Sequence, residues 1–170
     1  AENDLGGGGA LKQYACKLGV SIDERQTPAT LRVLHRVELD VRTVGKPAKD
    51  RYNRPRPMLA DDKPICIPRE DWLKTNASYP SGHSMTGWAW GLILAELAPD
   101  KADEMMAVGK DIGESRIICG VHYASDVEAG RTLASAMVAR IHADPEFQTE
   151  MKKARAEIAR AKVAPTGCAA

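Results

Sequence analysis

The stretch Ser81–Leu97 (SGHSMTGWAWGLILAEL) decides the fold more than any other part of the sequence. It opens with a Ser-Gly pair, which is common where helices begin, and continues as a long, almost uncharged run. Its large apolar residues point to several sides of a helix, and Gly87 and Gly91 leave a flat strip. Because a helix that is apolar on most sides is buried on most sides, we predict a central helix. The run is too short to span a bilayer.

Further helical patterns surround this stretch. Thr27-Pro28 is an N-cap residue followed by proline at the first helical position, and apolar residues recur at helical spacing from there towards Lys49. We expect an irregular loop over residues 60–77, with a helical turn near Glu70–Leu73. Three more helices are predicted, beginning at Pro99, at Ser125 or Asp126, and at Asp144-Pro145. The sequence therefore predicts an all-α fold.

Length and composition agree with one helical domain. The 170 residues are enough for a single buried core, and aromatic residues are scarce, with only one phenylalanine. We expect a flexible N-terminal arm and lead-in over residues 1–26, a single all-α domain over 27–162 and a tail over 163–170. Lys and Arg total 24 against 23 Asp and Glu, so no global field favours nucleic acid or an anionic membrane. Any bound anion must be held by local charge.

Two short blocks combine chemistry-bearing side chains with glycine or proline. Residues 49–57 (KDRYNRPRP) hold Lys49 and Arg56 on a segment stiffened by proline, with Arg51 and Arg54 competing for the same role. Residues 79–83 (YPSGH) lie where the central helix begins, and free N–H groups at a helix N-terminus attract anions. Taken alone, the first block also fits a solvated basic loop and the second an ordinary helix cap.

A third block, residues 115–126 (SRIICGVHYASD), adds a possible nucleophile. Asp126 follows His122 by four residues, so its carboxylate can accept a hydrogen bond from one imidazole nitrogen and leave the other as a directed lone pair. Asp126 fits a simple helix cap equally well. Together the three blocks offer cations, a Ser-Gly turn and two histidines, an inventory that suits attack on a tetrahedral oxyanion. We therefore predict a phosphate-ester hydrolase that needs no metal and no other cofactor.

The order and spacing of the blocks resemble the tripartite motif of the phosphatidic-acid-phosphatase type 2 superfamily, which includes vanadium haloperoxidases and lipid phosphate phosphatases. The matching residues are Lys49, Arg56-Pro57, Pro80, Ser81, Gly82, His83, Ser115-Arg116, His122 and Asp126. Residues 76–83 (NASYPSGH) and 113–120 (GESRIICG) further resemble class A bacterial non-specific acid phosphatases. Ala77 and Ser84 depart from the glycine and threonine expected there.

The resemblance implies a fold and a role for each site residue. It implies the helical bundle of the acid phosphatase and vanadium haloperoxidase type, and it selects Arg56 rather than Arg54. His122 would be the nucleophile, Asp126 its orienting partner and His83 the general acid. The implied phosphate-binding residues are Lys49, Arg56, Ser81, Gly82 and Arg116. Substrates would be small phosphate monoesters, hydrolysed with broad specificity and an acidic pH optimum through a phosphohistidine, with inorganic phosphate as product and a phosphotransferase side activity.

Two other functions remain open at this point: a vanadium-dependent haloperoxidase, and a phosphate-binding module without turnover. The resemblance also implies secretion to the periplasm and a homo-oligomer, a dimer or larger, with neither a nucleic-acid polymer nor a membrane as partner. The sequence starts with a polar, glycine-rich run rather than a signal peptide. The family that it resembles usually carries more chain ahead of this point, so we expect part of an N-terminal helical segment to be missing or trimmed. Four cysteines allow three disulfide connectivities, of which we favour Cys66 with Cys119 and Cys16 with Cys168.

Overall fold

The structure is a computed structural model that describes residue 5 and residues 8–168. Within this part of the chain there are seven α-helices and no β-strand, which confirms the predicted all-α fold. The helices are α1 (Gly9–Leu18), α2 (Pro28–Tyr52), α3 (Trp72–Thr75), α4 (Gly82–Leu97), α5 (Ala102–Ile118), α6 (Ala124–Ile141) and α7 (Pro145–Arg160).

Helix α4 is the centre of the bundle, as its apolar sequence predicts. It packs against α5, α6 and α2, and residues on several of its sides, such as Ile93 and Trp90, are buried. Gly87 allows α5 to lie very close, because a Cβ atom at this position would come within 2.8 Å of Ile112. None of the described helices is both long and apolar enough to cross a membrane.

The N-terminal region differs from its prediction. The sequence predicts a flexible arm and lead-in over residues 1–26, but helix α1 occupies Gly9–Leu18 and packs against α5. Tyr14 explains the difference, since its ring is fully buried and its hydroxyl donates to the Gly87 carbonyl oxygen at 2.5 Å. The prediction of a flexible arm is therefore wrong for this helix. Residues 1–4, 6 and 7 lie outside the described part, and the rest of the domain division stays a prediction.

One of the two favoured disulfides is present. Cys16 of α1 is bonded to Cys168, which confirms that pairing and ties the N-terminal helix to the C-terminal segment. The other pairing is not formed, because Cys66 and Cys119 are free thiols. They are nevertheless neighbours, since the backbone N–H of Cys66 donates to the Cys119 sulfur at 3.1 Å. This contact belongs to a small cluster that packs the loop over residues 60–77 against the end of α5.

Two local features bring the three sequence blocks to one end of the bundle. Helix α2 ends at Asn53, whose left-handed conformation (φ 38°) turns the chain so that Lys49 lies in the last helical turn and Arg56 beyond it. Helices α4 and α6 meet at their N-termini, where the Ser81 N–H donates to the Asp126 carbonyl oxygen at 3.0 Å. Gly130 permits this approach, because a Cβ atom there would come within 2.9 Å of the Ser81 oxygen.

Candidate active site

Lys49 and Arg56 are held by the segment that precedes α4. The Lys49 ammonium donates to the Ala77 carbonyl oxygen at 2.5 Å. The Arg56 guanidinium donates from Nε to the Asn76 carbonyl oxygen and from Nη2 to the Asn76 side-chain oxygen, both at 2.9 Å. Neither cation has a carboxylate partner among the described residues, so both retain a positive charge that an anion can neutralise.

The side chain of Arg116, near the end of α5, is buried without a hydrogen-bond partner. The residue is 8% exposed, and its Nε is the one buried side-chain nitrogen or oxygen that lacks a hydrogen bond within the described part of the chain. A buried, unpaired guanidinium is costly, because burial removes its hydration and nothing replaces it. This arrangement indicates a site built to receive an anion.

His122 and Asp126 adopt the predicted relationship. His122 Nδ1 lies 3.4 Å from Asp126 Oδ2, and both side chains are buried. On the other edge of the ring, Arg56 Nη1 lies 3.1 Å from His122 Nε2. Because a guanidinium can only donate, Nε2 must accept, and the ring proton is therefore on Nδ1, facing the carboxylate. This tautomer leaves the Nε2 lone pair on the side of the cations.

Asp126 is also the helix cap that the simpler interpretation expected. Its Oδ2 accepts from the Tyr123 N–H at 2.9 Å at the start of α6. The Asp126 carboxylate therefore both caps α6 and orients His122. Ser81 shows the same combination, since its hydroxyl oxygen accepts from the Ser84 N–H at 3.3 Å and caps α4. A hydroxyl that accepts one bond can still donate another, so the cap does not remove Ser81 as an anion ligand.

His83 and Gly82 lie in the first turn of α4 and line a cavity of about 510 Å³. Lys49, Asn76 and Ala77 line the same cavity. A Cβ atom at Gly82 would meet no atom within 4 Å, so the backbone there is open to a ligand. The cavity thus joins the helix N-terminus and His83 with three cations, Lys49, Lys46 and Arg42.

Burial and mutual repulsion shift the pKa values of the basic groups downwards. Burial, together with the charge of Arg56, lowers the pKa of Lys49 to about 8. Burial and the charge of Arg116 lower the pKa of Arg56 to about 10, and burial also lowers the pKa of Arg116. Such crowding of cations destabilises the empty site and is relieved by a bound anion.

Both histidines are neutral in the anion-free site. Burial lowers the pKa of His122 to about 4, although the hydrogen bond with Asp126 opposes this effect. Burial and the charges of Arg116, His122, Arg56 and Lys49 lower the pKa of His83 to about 3. A bound phosphate oxygen would offset those positive charges and raise the pKa of His83.

Asp126 remains ionised in these surroundings. Burial opposes its charge, but hydrogen bonds from His122, Ser78 and Tyr123 lower its pKa to about 2. A further contribution comes from the charge of Arg54. The pair is therefore a neutral imidazole against a carboxylate, the state in which His122 can act as a nucleophile.

Three residues of the site had no assigned role in the sequence analysis. Asn76 holds Arg56, Ser78 donates to Asp126 Oδ2 at 2.5 Å, and Arg54 donates to Asp126 Oδ1 at 2.8 Å. Asn76 and Ser78 belong to the quoted run at residues 76–83, which was their only signal. Ala77 and Ser84, which replace the expected glycine and threonine, also make contacts. The Ala77 carbonyl oxygen accepts from Lys49, and the Ser84 hydroxyl donates to the Val127 carbonyl oxygen at 2.6 Å.

No group of three or more His, Cys, Asp or Glu side chains that could hold a metal ion is found among the described residues. The side chains of the site offer cations for an oxyanion, a neutral histidine with a directed lone pair, and a second histidine in the first turn of α4. These groups can bind a tetrahedral anion and transfer it to nitrogen.

Comparison with known proteins gives a consistent result. Residues 40–150 match the PAP2 superfamily. The chain is 40% identical over 161 residues to an acid phosphatase of Zymomonas mobilis, an alignment that covers 94% of this chain and 61% of the relative. It is 38% identical over 161 residues to a non-specific acid phosphatase of Providencia stuartii, covering 94% and 65%. A non-specific acid phosphatase of Salmonella typhimurium is 37% identical over 147 residues, covering 83% and 57%. The chain thus spans less than two thirds of the length of these relatives.

Proposed function

The chain belongs to the PAP2 superfamily, and from this premise we propose that the protein is an acid phosphatase that hydrolyses phosphate monoesters through a phosphohistidine. The observation that carries the proposal is the set of Lys49, Arg56 and Arg116, which lie beside two neutral histidines without a carboxylate partner among the described residues. Relatives named acid phosphatase support the same activity.

The first step transfers phosphorus to nitrogen. The phosphate oxygens displace the Arg56 contact at His122 Nε2 and take up the hydrogen bonds of the three cations, Ser81 and the N-terminus of α4. The Nε2 lone pair then attacks phosphorus in line, and the bond from phosphorus to the leaving oxygen breaks. His83, protonated in the presence of the anion, gives its proton to that oxygen, and an alcohol departs.

The second step releases phosphate. The now neutral His83 accepts a proton from water as the water oxygen attacks phosphorus, and the bond between phosphorus and Nε2 breaks. Inorganic phosphate leaves, and His122 regains its lone pair. An alcohol can replace water in this step, which accounts for a phosphotransferase side activity. Fixed cations around the equatorial oxygens supply most of the rate, because charge is spread over those oxygens in the transition state.

Broad specificity, periplasmic location and self-association complete the proposal. The cavity of about 510 Å³ beside His83 gives room for varied leaving groups. The Cys16–Cys168 disulfide suits an oxidising compartment such as the periplasm. A homo-oligomer follows only from the family resemblance, and light scattering of the purified protein tests it.

The decisive experiment is steady-state hydrolysis of p-nitrophenyl phosphate and a panel of phosphomonoesters from acidic to neutral pH, with and without excess chelator. We expect turnover that the chelator leaves unchanged and a phosphorylated His122 in samples quenched with alkaline denaturant and analysed by mass spectrometry. Bromide oxidation by the vanadate-loaded protein without hydrolysis would instead identify a haloperoxidase. Tight phosphate binding by calorimetry without any turnover would identify a binding module.

A further inference from the structure

The Asp126 carboxylate is held by donors on both of its oxygens, and His122 is the most distant of them. Oδ1 accepts from Arg54 Nη1 at 2.8 Å. Oδ2 accepts from the Ser78 hydroxyl at 2.5 Å and the Tyr123 N–H at 2.9 Å, and it lies 3.4 Å from His122 Nδ1. The position of the carboxylate is therefore determined by groups other than the histidine that it orients.

Arg54 has three side-chain partners. Besides its bond to Asp126, Nη1 donates to the Ser125 hydroxyl at 2.7 Å, and the guanidinium lies over the Tyr123 ring at 4.0 Å from the ring centre. It forms the salt bridge to the Asp126 side chain, which is fully buried. A buried carboxylate needs such a partner, because its lost hydration is otherwise uncompensated. Arg54 thus joins the first sequence block to the third.

Ser78 connects the carboxylate with the imidazole. Its Oγ lies 3.3 Å from His122 Nδ1, as near as Asp126, while its own hydrogen points to Asp126 Oδ2. A hydroxyl can donate one hydrogen bond and accept another at the same time. The Nδ1 hydrogen of His122 is therefore shared between the Ser78 oxygen and the carboxylate. The ring has two acceptors on this edge rather than one.

We propose that Arg54 and Ser78 are positioning residues for His122: Arg54 fixes the Asp126 carboxylate through Oδ1, and Ser78 shares the Nδ1 hydrogen, so that Nε2 stays directed at phosphorus. This inference rests on the proposed function, in which Nε2 is the nucleophile. Arg54 contacts the Asp126 carboxylate and Ser78 contacts both this carboxylate and Nδ1, on the edge of the ring opposite to Nε2, so both act through His122 rather than on the phosphate.

The test compares Arg54→Met, Arg54→Lys and Ser78→Ala with wild type in kcat for p-nitrophenyl phosphate and in the inhibition constant of inorganic phosphate. We expect Arg54→Met to lower kcat about 10- to 100-fold, by analogy with the loss of groups that orient a catalytic ligand, while phosphate binds with nearly unchanged affinity. Arg54→Lys should lie between, since it keeps the charge but loses the fork of the guanidinium. Ser78→Ala should lower kcat about tenfold.

Matched controls separate positioning from a general effect. Arg51→Met removes an exposed cation of the same segment, and Ser135→Ala removes a hydroxyl on the exposed side of α6; both should leave kcat unchanged. Unchanged kcat in Arg54→Met and Ser78→Ala overturns the inference, and so does an equal loss of kcat and phosphate affinity. If Arg54→Met fails to fold, Arg54→Lys and Ser78→Ala decide by the same criteria.

A spectroscopic measurement tests this inference independently of the proposed function. Nitrogen NMR of histidine-labelled protein should show His122 with its hydrogen on Nδ1 in wild type, and the Nδ1 resonance should shift in Arg54→Met and Ser78→Ala because the acceptors of that hydrogen change. An Nδ1 resonance that stays unchanged in both variants overturns the inference. A wild-type protein without phosphatase activity contradicts the proposed function instead, and the NMR result then decides the inference by itself.

Discussion

The two histidines of the site lie in contrasting surroundings. His122 has a partner for each ring nitrogen, with Arg56 on one edge and Ser78 and Asp126 on the other. His83 has no hydrogen bond to any described residue, and the nearby Arg116 is buried without one. The protein therefore completes the hydrogen bonds of His122, the proposed nucleophile, and leaves the side chains of His83 and Arg116 without them.

The two sides of the site are stabilised differently. Contacts within the folded chain hold His122, whereas the cations are stabilised by a bound anion. Orientation of His122 is determined before substrate binds, which removes the need to reorganise during the reaction. On the anion-binding side, crowded cations without carboxylate partners destabilise the empty site, and a bound phosphate relieves this destabilisation. Changes on the two sides should therefore have different effects on activity and stability.

The largest effect is expected from removal of the nucleophile. His122→Ala should lower turnover of p-nitrophenyl phosphate about 10⁴-fold, because no other group of the site offers a directed lone pair at phosphorus. His35→Ala, which removes an exposed histidine of α2, is the matched control and should retain full activity. Near-normal turnover in His122→Ala would contradict the assignment of the two histidines.

Arg116→Met should lower kcat/KM about 10²- to 10³-fold, since one fixed donor to the transition state is lost. The free energy of unfolding measured in phosphate-free buffer should stay the same or rise, because a buried and unpaired charge has been removed. Arg140→Met, at an exposed position of α6, should change neither quantity. A marked loss of stability in Arg116→Met would mean that Arg116 has a structural partner and that the contrast is wrong.

The pH dependence of stability should report both histidines. Their pKa values are lowered from 6.5 to about 4 for His122 and about 3 for His83, so the unfolded chain takes up protons first as the pH falls. Stability is therefore fully present above pH 6.5 and is lost on acidification towards pH 4, by on the order of 3 kcal/mol for each histidine.

Denaturant unfolding at pH 7, 5.5 and 4.5 measures this loss. Addition of phosphate should reduce the loss, because a bound anion raises the pKa of His83 and favours the protonated folded state. His83→Asn should flatten the dependence in phosphate-free buffer. An identical pH slope in wild type and His83→Asn would show that His83 titrates normally in the folded protein.

Removal of the Cys16–Cys168 disulfide should have the smallest effect on the activity of the site. The Cys16–Cys168 bond joins residues that are 152 positions apart in the sequence. The double variant that combines Cys16→Ser with Cys168→Ser should therefore lower the free energy of unfolding by about 2–5 kcal/mol. Because the bond lies on α1, away from both histidines, kcat at a temperature where the variant is folded should not change. A large fall in kcat would mean that the N-terminal helix shapes the site. Mass mapping under non-reducing conditions should find Cys66 and Cys119 as thiols.

Local sequence patterns were sufficient to predict most helices. Ser81–Leu97 was expected as a central helix and forms α4 with nearly the same bounds, because its apolar residues face every neighbour. Helix α1 was missed, since three glycines precede it, a fourth begins it, and the burial of Tyr14 depends on a carbonyl 73 residues away. The same limit applies to Arg54, Ser78 and Asn76. Their partners lie 72, 48 and 20 residues away, so no spacing rule could assign them.

The sequence by itself determined the helical class, the residues of the three blocks and the four-residue step that joins His122 to Asp126, because caps, periodicity and short spacings act within a few residues. Only the tertiary structure decided which cation does what: Arg54 holds Asp126, Arg56 faces His122, and Arg116 is buried without a partner. These roles depend on the meeting of α2, α4, α5 and α6, where burial and charge act between side chains that are distant along the chain.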